Sequence, residues 1–461
     1  MQPQARSLSG TVERAILVGV EQFGDSHTQI VDSLEELASL VGTAGGLPVH
    51  TIIQKLDKPH PATYIGKGKA EEIALLCQSD DVALVVFDDE LSPAQNRNLN
   101  EIVGKKVIDR TQLILDIFAR RAQTKEGKLQ IALAQLKYLL PRLTRMWSHL
   151  SRQSGGIGTR GDGETQLEVD RRRAGEKIAK IKKDLEAVRQ HRSTQRQSRE
   201  RHNWPVVSLV GYTNAGKSTL FNRLTRAGVL AEDKLFATLD PTTRLVNLPP
   251  TDKQKILLTD TVGFIKKLPH DLIESFKATL EEVRQADLLF HVVDLSHPNH
   301  DQQIVAVHDV LTQIGCAEKP AILVFNKADQ VDPEAARRAL EFHAASVCVS
   351  AKSGEGIESL LLEAARRLSS RRVHVDLLVP NHEAALLAEL HRAGNVIEIA
   401  YEGDHARITA SLPPALKGRL EPYIVVPHER RGRGKRGDQN PGAPRKRASA
   451  RAAAPARRVR A

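Results

Sequence analysis

Cysteine is scarce: three in 461 residues, at Cys77, Cys316 and Cys348, far apart and odd in number. A disulfide framework is thereby excluded. Aromatic residues make up only 4% of the chain. No apolar run approaches the roughly 20 residues that span a bilayer. The first twenty residues hold one six-residue apolar run with no cleavage pattern after it, so no secretory leader is expected. The expectation is a soluble, cytoplasmic protein, monomeric and without a membrane span.

What is present in excess is positive charge, and it is localised. The net charge is +11, yet residues 110–203 alone hold twenty-two Lys and Arg against ten acids. Residues 429–461 hold twelve against two. The rest of the chain is therefore acidic. A basic middle segment and a basic tail on an acidic body point to a polyanionic partner, most often nucleic acid.

Hydrophobic periodicity divides the chain into five parts. Residues 1–109 alternate strand-like and helix-like pieces, "ERAILVGV", "QIVDSLEELASLV", "PVHTIIQKL", "AEEIALLC" and "DVALVVFDD". That βαβαβ order predicts a small parallel sheet covered by helices. Inside it, "TYIGKGKAEE" is a Gly/Lys loop opening a helix, with spacing unlike any phosphate-loop pattern; a surface turn is the favoured reading. Residues 110–203 lack strand character. Leu129, Leu133, Leu136, Leu140 and Leu143 share one helix face, and Ala174, Ile178, Ile181, Leu185 and Val188 share another. Joined by the glycine-rich "GGIGTRGDGETQ" from Gly155, they predict a basic helical hairpin arm with a flexible tip. Pro141 is expected to kink the first helix or end it early. Residues 204–372 carry the chemistry, 373–427 read as a small α+β unit, and 428–461 are low-complexity, basic and expected to be disordered.

The glycine-rich tip is not a nucleotide loop, because it lacks a preceding strand and the Gly-Lys-Ser/Thr step. "VVSLVGYTNAGKSTLFNRL" has both. Gly211, Tyr212, Thr213, Asn214, Ala215, Gly216, Lys217 and Ser218 form G-x-x-x-x-G-K-S, in which backbone N–H groups approach phosphate. Lys217 is expected to reach the β- and γ-phosphates and Ser218 to ligate Mg²⁺. "LLTDTVGF" then ends a strand in Asp260, Thr261, Val262 and Gly263. Asp260 is suited to hold the magnesium directly or through water, and the Gly263 amide to sense the γ-phosphate. Between the two motifs lies "LFATLDPTTR", a switch segment with Phe236, Ala237, Thr238, Leu239 and Asp240 as nucleotide-side candidates. Thr238 is the favoured second magnesium ligand, with Thr242 and Thr243 as alternatives.

Base selection follows from "ILVFNKAD" and "SVCVSAKSG". Asn326, Lys327, Ala328 and Asp329 lie at a strand's carboxyl end, where open α/β sheets bind ligands. Asp329 can accept from guanine N1–H and the N2 amino group; adenine would leave the carboxylate unsatisfied. Ser350, Ala351 and Lys352 present backbone to the guanine O6. Together these motifs predict a GTP-binding domain. After Gly263 stands Phe264, which cannot orient water, so hydrolysis without a partner is expected to be slow. Asn214 could coordinate a potassium ion beside the phosphates as a catalytic aid or could simply brace the loop; both readings stay open.

The chain resembles the HflX family of translation-associated GTPases over nearly its whole length to about residue 427. The specific stretches are "GGIGTRGDGETQLEVDRRR", "GYTNAGKSTLFN", "FATLDPTTR" and "ATYIGKGK". The resemblance implies binding to the large ribosomal subunit and its rRNA near the peptidyl-transferase region, through the N-terminal domain and arm. It further implies ribosome-stimulated GTP hydrolysis that accompanies separation of stalled or idle ribosomes under stress. A GTPase of ribosome assembly and a signalling GTPase with protein partners are the alternatives.

Overall fold

The computed structural model describes residues 12–146, 166–200, 204–225, 228, 235–236, 238–249, 254–267, 277–369, 373–383, 386–387, 390, 395–412 and 420–425. The glycine-rich stretch from Gly155, Ala237, most of residues 382–393 of the small α+β unit and the basic tail lie outside them. The architecture is multidomain α/β, and the chain divides after Val373 into two compact units.

The first unit opens with β1 (Arg14–Glu21), α1 (His27–Thr43), β2 (Leu47–Lys55), α2 (Lys67–Ser79), β3 (Leu84–Phe87), α3 (Pro93–Val103) and β4 (Lys106–Asp109). The strands form a parallel sheet in the order β2-β1-β3-β4. Alternation along each strand sends Ile16, Val18, Val85 and Phe87 to one helical layer and Leu17 and Val86 to the other. Two elements exceed the βαβαβ expectation. The helix α3 has a reciprocal capping box between Ser92 and Gln95, Pro93 in its first turn and a left-handed Gly104 at its end. It delivers β4, a strand of only four residues.

Helix α4 (Arg110–Arg121) is capped by Asp109, whose carboxylate accepts from the Gln112 N–H at 2.9 Å. Its Ile114, Ile117 and Phe118 are buried with Leu34 and Leu37 of α1. The first helix after Asp109 therefore belongs to the N-terminal core, and the arm begins with α5 (Lys125–Met146) and α6 (Gln166–Glu200). The two leucine/isoleucine stripes meet as expected: Leu133, Ile181 and Leu185 are buried together, with Leu129, Leu136 and Ile178 beside them. Pro141 does not end its helix, which runs through it to Met146. Packing next to it explains why. The Arg142 guanidinium lies 3.4 Å over the Tyr138 ring and donates to Asp109 and to the Leu91 carbonyl, holding this turn against the domain despite the missing N–H.

The P-loop domain is a six-stranded sheet in the order β10-β9-β8-β5-β7-β6. Its strands are β5 (Val206–Gly211), β6 (Thr242–Leu248), β7 (Gln254–Asp260), β8 (Leu288–Asp294), β9 (Ala321–Asn326) and β10 (Ser346–Cys348). All pairings are parallel except β6 on β7. Helices α7 (Lys217–Thr225), α8 (Lys277–Gln285), α9 (His300–Gln313), α10 (Pro333–Phe342) and α11 (Ile357–Ser369) complete it. One apolar cluster runs from Leu34, Ile114 and Phe118 into Tyr212, Phe236, Leu239, Phe264 and Val307, so the first two domains share a core. The second unit holds β11 (Val373–Pro380), β12 (Asn395–Glu402) and β13 (His405–Leu412), with β12 and β13 antiparallel and β11 beside β13.

Within the shared core Arg110 is only 2% exposed. Its guanidinium pairs with Asp88 at 2.6 Å and with Glu36. Burial by itself would raise the Asp88 pKa, but Arg110 and Lys267 overrule it and hold the carboxyl below its ordinary 3.8. Arg110→Ala takes the guanidinium from both carboxylates and leaves Lys267 as the remaining cation on Asp88; it should lose about 3–5 kcal/mol in urea unfolding followed by circular dichroism. A loss near zero would mean that the pair contributes nothing. A carboxyl held low stabilises the fold fully above its unfolded pKa and ceases to as pH falls through the folded one. Below pH 4 stability should therefore drop more steeply in the native chain than in Asp88→Asn, and equal acid slopes would contradict the assignment.

Candidate functional site

The loop from Gly211 to Ser218 links the end of β5 to the start of α7, and its geometry demands glycine. Gly211 has φ +151, and a Cβ there would sit 2.1 Å from the Val292 carbonyl oxygen. Gly216 has φ +89, and its Cβ would fall 2.2 Å from Asn326 Nδ2. Lys217 is buried and folds back, donating to the Gly211 carbonyl at 3.1 Å and the Tyr212 carbonyl at 2.6 Å. Burial lowers its pKa to about 8, against an opposing pull from Asp260. The ammonium is held where a phosphate would relieve it.

Three oxygens converge at the head of α7. Ser218 Oγ donates to Asp260 Oδ2 at 2.8 Å, Thr238 Oγ1 donates to the same atom at 2.9 Å, and the two hydroxyls are 2.7 Å apart. Asp260 Oδ1 is buried with no hydrogen-bond partner among the described residues. Burial raises the Asp260 pKa, with Lys217, Ser218 and Thr238 opposing. An orphaned carboxylate oxygen beside two hydroxyls is a hard-oxygen set that fits Mg²⁺, which takes one or two carboxylates and completes its shell with phosphate and water. No cluster of three or more His, Cys, Asp or Glu suited to a metal occurs among the described residues. Of the alternatives to Thr238, Thr243 bonds Thr259 across β6 and β7 at 3.0 Å, and Thr242 lies in register with Asp260.

Gly263 lies over the loop: a Cβ would come within 2.9 Å of Lys217 Nζ and of Thr213. The next residue ties the segments together, since the Phe264 N–H donates to the Gly211 carbonyl at 3.0 Å and the Thr213 N–H to the Phe264 carbonyl at 2.8 Å. The Phe264 side chain is buried in the shared core. Thr261 and Val262 are also buried, Thr261 donating to the Leu209 carbonyl at 2.5 Å. Three switch candidates turn from the cradle with their side chains. Phe236 and Leu239 enter the shared core, and Asp240 bonds the base of α5.

At the far end of the loop Asn326 is 2% exposed and joins three segments. Its amide donates to the Ala215 carbonyl and accepts from the Ala351 N–H, both at 2.9 Å. Asp329, exposed, accepts from Ser350 Oγ at 2.6 Å, and the Ala328 N–H bonds the Val349 carbonyl. Lys352 is exposed beside them. Lys327 pairs with Asp294 at 2.5 Å, a residue that sequence reasoning missed although it is an acid at the end of an apolar strand. Also missed was a cavity of about 350 Å³ bounded by Asp32 and Glu36 of α1, Tyr212 to Asn214, Lys266 and Asp294. No helix among the described residues is long and apolar enough to cross a membrane.

Comparison with known proteins finds GTPases along most of the chain. Residues 31–119 match the family model described as GTP-binding GTPase N-terminal, 121–199 GTP-binding GTPase Middle Region, and 206–327 50S ribosome-binding GTPase. The chain is 48% identical to GTPase HflX of Lacrimispora saccharolytica, over 88% of this chain and 95% of that one. It is 47% identical to GTPase HflX of Escherichia coli K12, over 82% and 88%. GTPase HflX of Caldanaerobacter subterraneus subsp. tengcongensis is 46% identical, over 90% and 94%.

Asn326→Ala leaves the Ala215 carbonyl and the Ala351 N–H unpaired in a buried site. A cost of about 2–4 kcal/mol corresponds to a rise in nucleotide Kd of roughly 30-fold or more. Titration with a fluorescent GDP should show it, and an unchanged Kd would mean that Asn326 does not hold the two loops together.

Proposed function

The chain belongs to the HflX family of GTPases, and from that premise we propose that it binds the large ribosomal subunit and couples GTP binding and hydrolysis to the dissociation or rescue of stalled or idle ribosomes. The observation that carries the reading is the shared core. The segments that border the cradle pack against the same N-terminal domain from which a basic arm projects. On α6, Arg171, Arg172, Arg173, Lys177, Lys180, Lys182 and Lys183 are all exposed, a surface suited to RNA phosphates. The protein acts as a cytoplasmic monomer, with arm and N-terminal domain engaging rRNA.

In the site, Lys217 meets the β- and γ-phosphates, and Gly211 to Ser218 supply backbone N–H donors. Ser218, Thr238 and Asp260, the last directly or through water, would hold Mg²⁺, which when bound would supply positive charge against the phosphates. Asn326 braces the base pocket, Asp329 accepts from the guanine edge, and Ser350 to Lys352 present backbone to O6. Phe264 leaves water unpositioned, so hydrolysis is slow until a partner supplies what is missing. Asn214, on the loop where it borders the cavity, holds potassium beside the phosphates. GTP favours the subunit-bound state and hydrolysis releases the protein.

Steady-state GTP hydrolysis with and without purified large subunits tests this. In potassium buffer the subunits should stimulate at least about tenfold, with binding that weakens steeply as salt rises. Sodium should lower the stimulated rate, and Asn214→Ala should abolish the difference between the cations. No stimulation of folded, nucleotide-bound protein would favour the assembly or signalling readings, and salt-insensitive binding the signalling one. A non-hydrolysable GTP analogue should still support one round of subunit separation; failure would overturn the splitting scheme.

A further inference from the structure

Thr238 is held from both sides by the N-terminal half of the chain. Two residues before it, the Phe236 ring packs edge-on against Phe118 of α4, with centroids 4.6 Å apart at 72°. Phe236 adopts φ +56, a left-handed conformation costly for a bulky residue, so this docking overrides local preference. Two residues after Thr238, the Asp240 carboxylate reaches the first turn of α5. One oxygen accepts from the Gln123 and Thr124 N–H groups, each at 2.9 Å, and the other from Thr124 Oγ1 at 2.5 Å. Thr124 Oγ1 in turn accepts from the Gly127 N–H at 3.0 Å, capping the helix.

A second feature of this joint is the residue at 127. Gly127 lies in the first turn of a helix, where alanine is the better helix former. A Cβ there would lie 2.7 Å from Asp240 Oδ1 and 3.1 Å from Thr124 Oγ1. Glycine leaves room for the carboxylate of another domain to act as an external cap on the arm.

We infer that Asp240 is a positioning residue that couples the placement of Thr238 beside Ser218 and Asp260 to the order of the arm's base, with Gly127 as the opening that admits it. The carboxylate suits the positive end of α5, and its two-residue tether to Thr238 makes the contact reciprocal. Ordering Thr238 seats the cap, and a partner that orders the arm helps to seat Thr238. The inference rests on Thr238 as a magnesium ligand and not on the identity of the arm's partner.

Amide hydrogen exchange on the full chain tests it, with Mg²⁺ and a non-hydrolysable GTP analogue against GDP without Mg²⁺. In the native chain, exchange around Thr238 and at residues 123–128 should slow together, the latter by about five- to tenfold, the range of a helix cap. Gly127→Ala should abolish the response at 123–128, with GDP affinity within about threefold of native and no fall in Tm. A merely structural Gly127 would keep the response. Asp240→Asn, which retains a carbonyl acceptor, should keep part of it and Asp240→Ala none, which decides the matter should Gly127→Ala not fold. Slowing around Thr238 without slowing at 123–128, or a full response in Gly127→Ala, would overturn the coupling. No Mg²⁺-dependent slowing around Thr238 in nucleotide-bound protein would overturn the Thr238 reading, and the inference with it.

Discussion

The buried charge of Asp88 is the constraint on which the first two domains depend. A carboxylate only 2% exposed must be matched, and it is matched from both domains. Arg110 and Ser33 reach it from the N-terminal side, and Lys267, four residues beyond Gly263, reaches it at 2.5 Å from the other. Arg110 also pairs with Glu36, which accepts from the Tyr212 hydroxyl in the phosphate loop. The same hydroxyl accepts from the Lys266 N–H at 2.7 Å. Breaking any one link exposes another charge or polar group to an apolar surround. The loop, the segment after Gly263 and the N-terminal sheet are thereby held in one register.

Against that scaffold the cradle is a set of groups at odds with their surroundings. Among the described residues, Lys217 is buried with only carbonyls for hydrogen-bond partners, Asp260 keeps one oxygen unpaired, and Thr213 Oγ1 is buried without a partner. Each is a cost carried by the protein alone and offset by a charged ligand. This is the usual form of preorganisation: donors are placed before the charge they serve arrives.

What could be read from the sequence depended on how local the chemistry is. The cradle is eight consecutive residues, and the candidate guanine motifs are short runs at strand ends, so spacing alone points to them. Thr238 was preferred over Thr242 and Thr243 from its place on the loop. The interdomain network was invisible, because Glu36, Asp88, Arg110 and Lys267 are ordinary charged residues brought together only by folding. The helix α3 and strand β4 escape a reading by periodicity because the strand spans four residues and the Ser92–Gln95 capping box becomes evident only in the fold. Pro141 does not end its helix because tertiary packing through Tyr138 and Arg142 outweighs one missing hydrogen bond. Asp240 reads as a nucleotide-side residue from its place in the run around Thr238, whereas its side chain bonds Gln123 and Thr124.

The most direct test of a single energetic unit is the exchange of amides in β1, β3 and β4, strands of the N-terminal sheet rather than of the P-loop sheet. If opening the N-terminal sheet requires releasing the P-loop domain, nucleotide at about 100 times its Kd should slow these amides by up to roughly a hundredfold. If they exchange at the same rate with and without nucleotide while the cradle itself is protected, the two domains are energetically separate, and the charge network merely touches both.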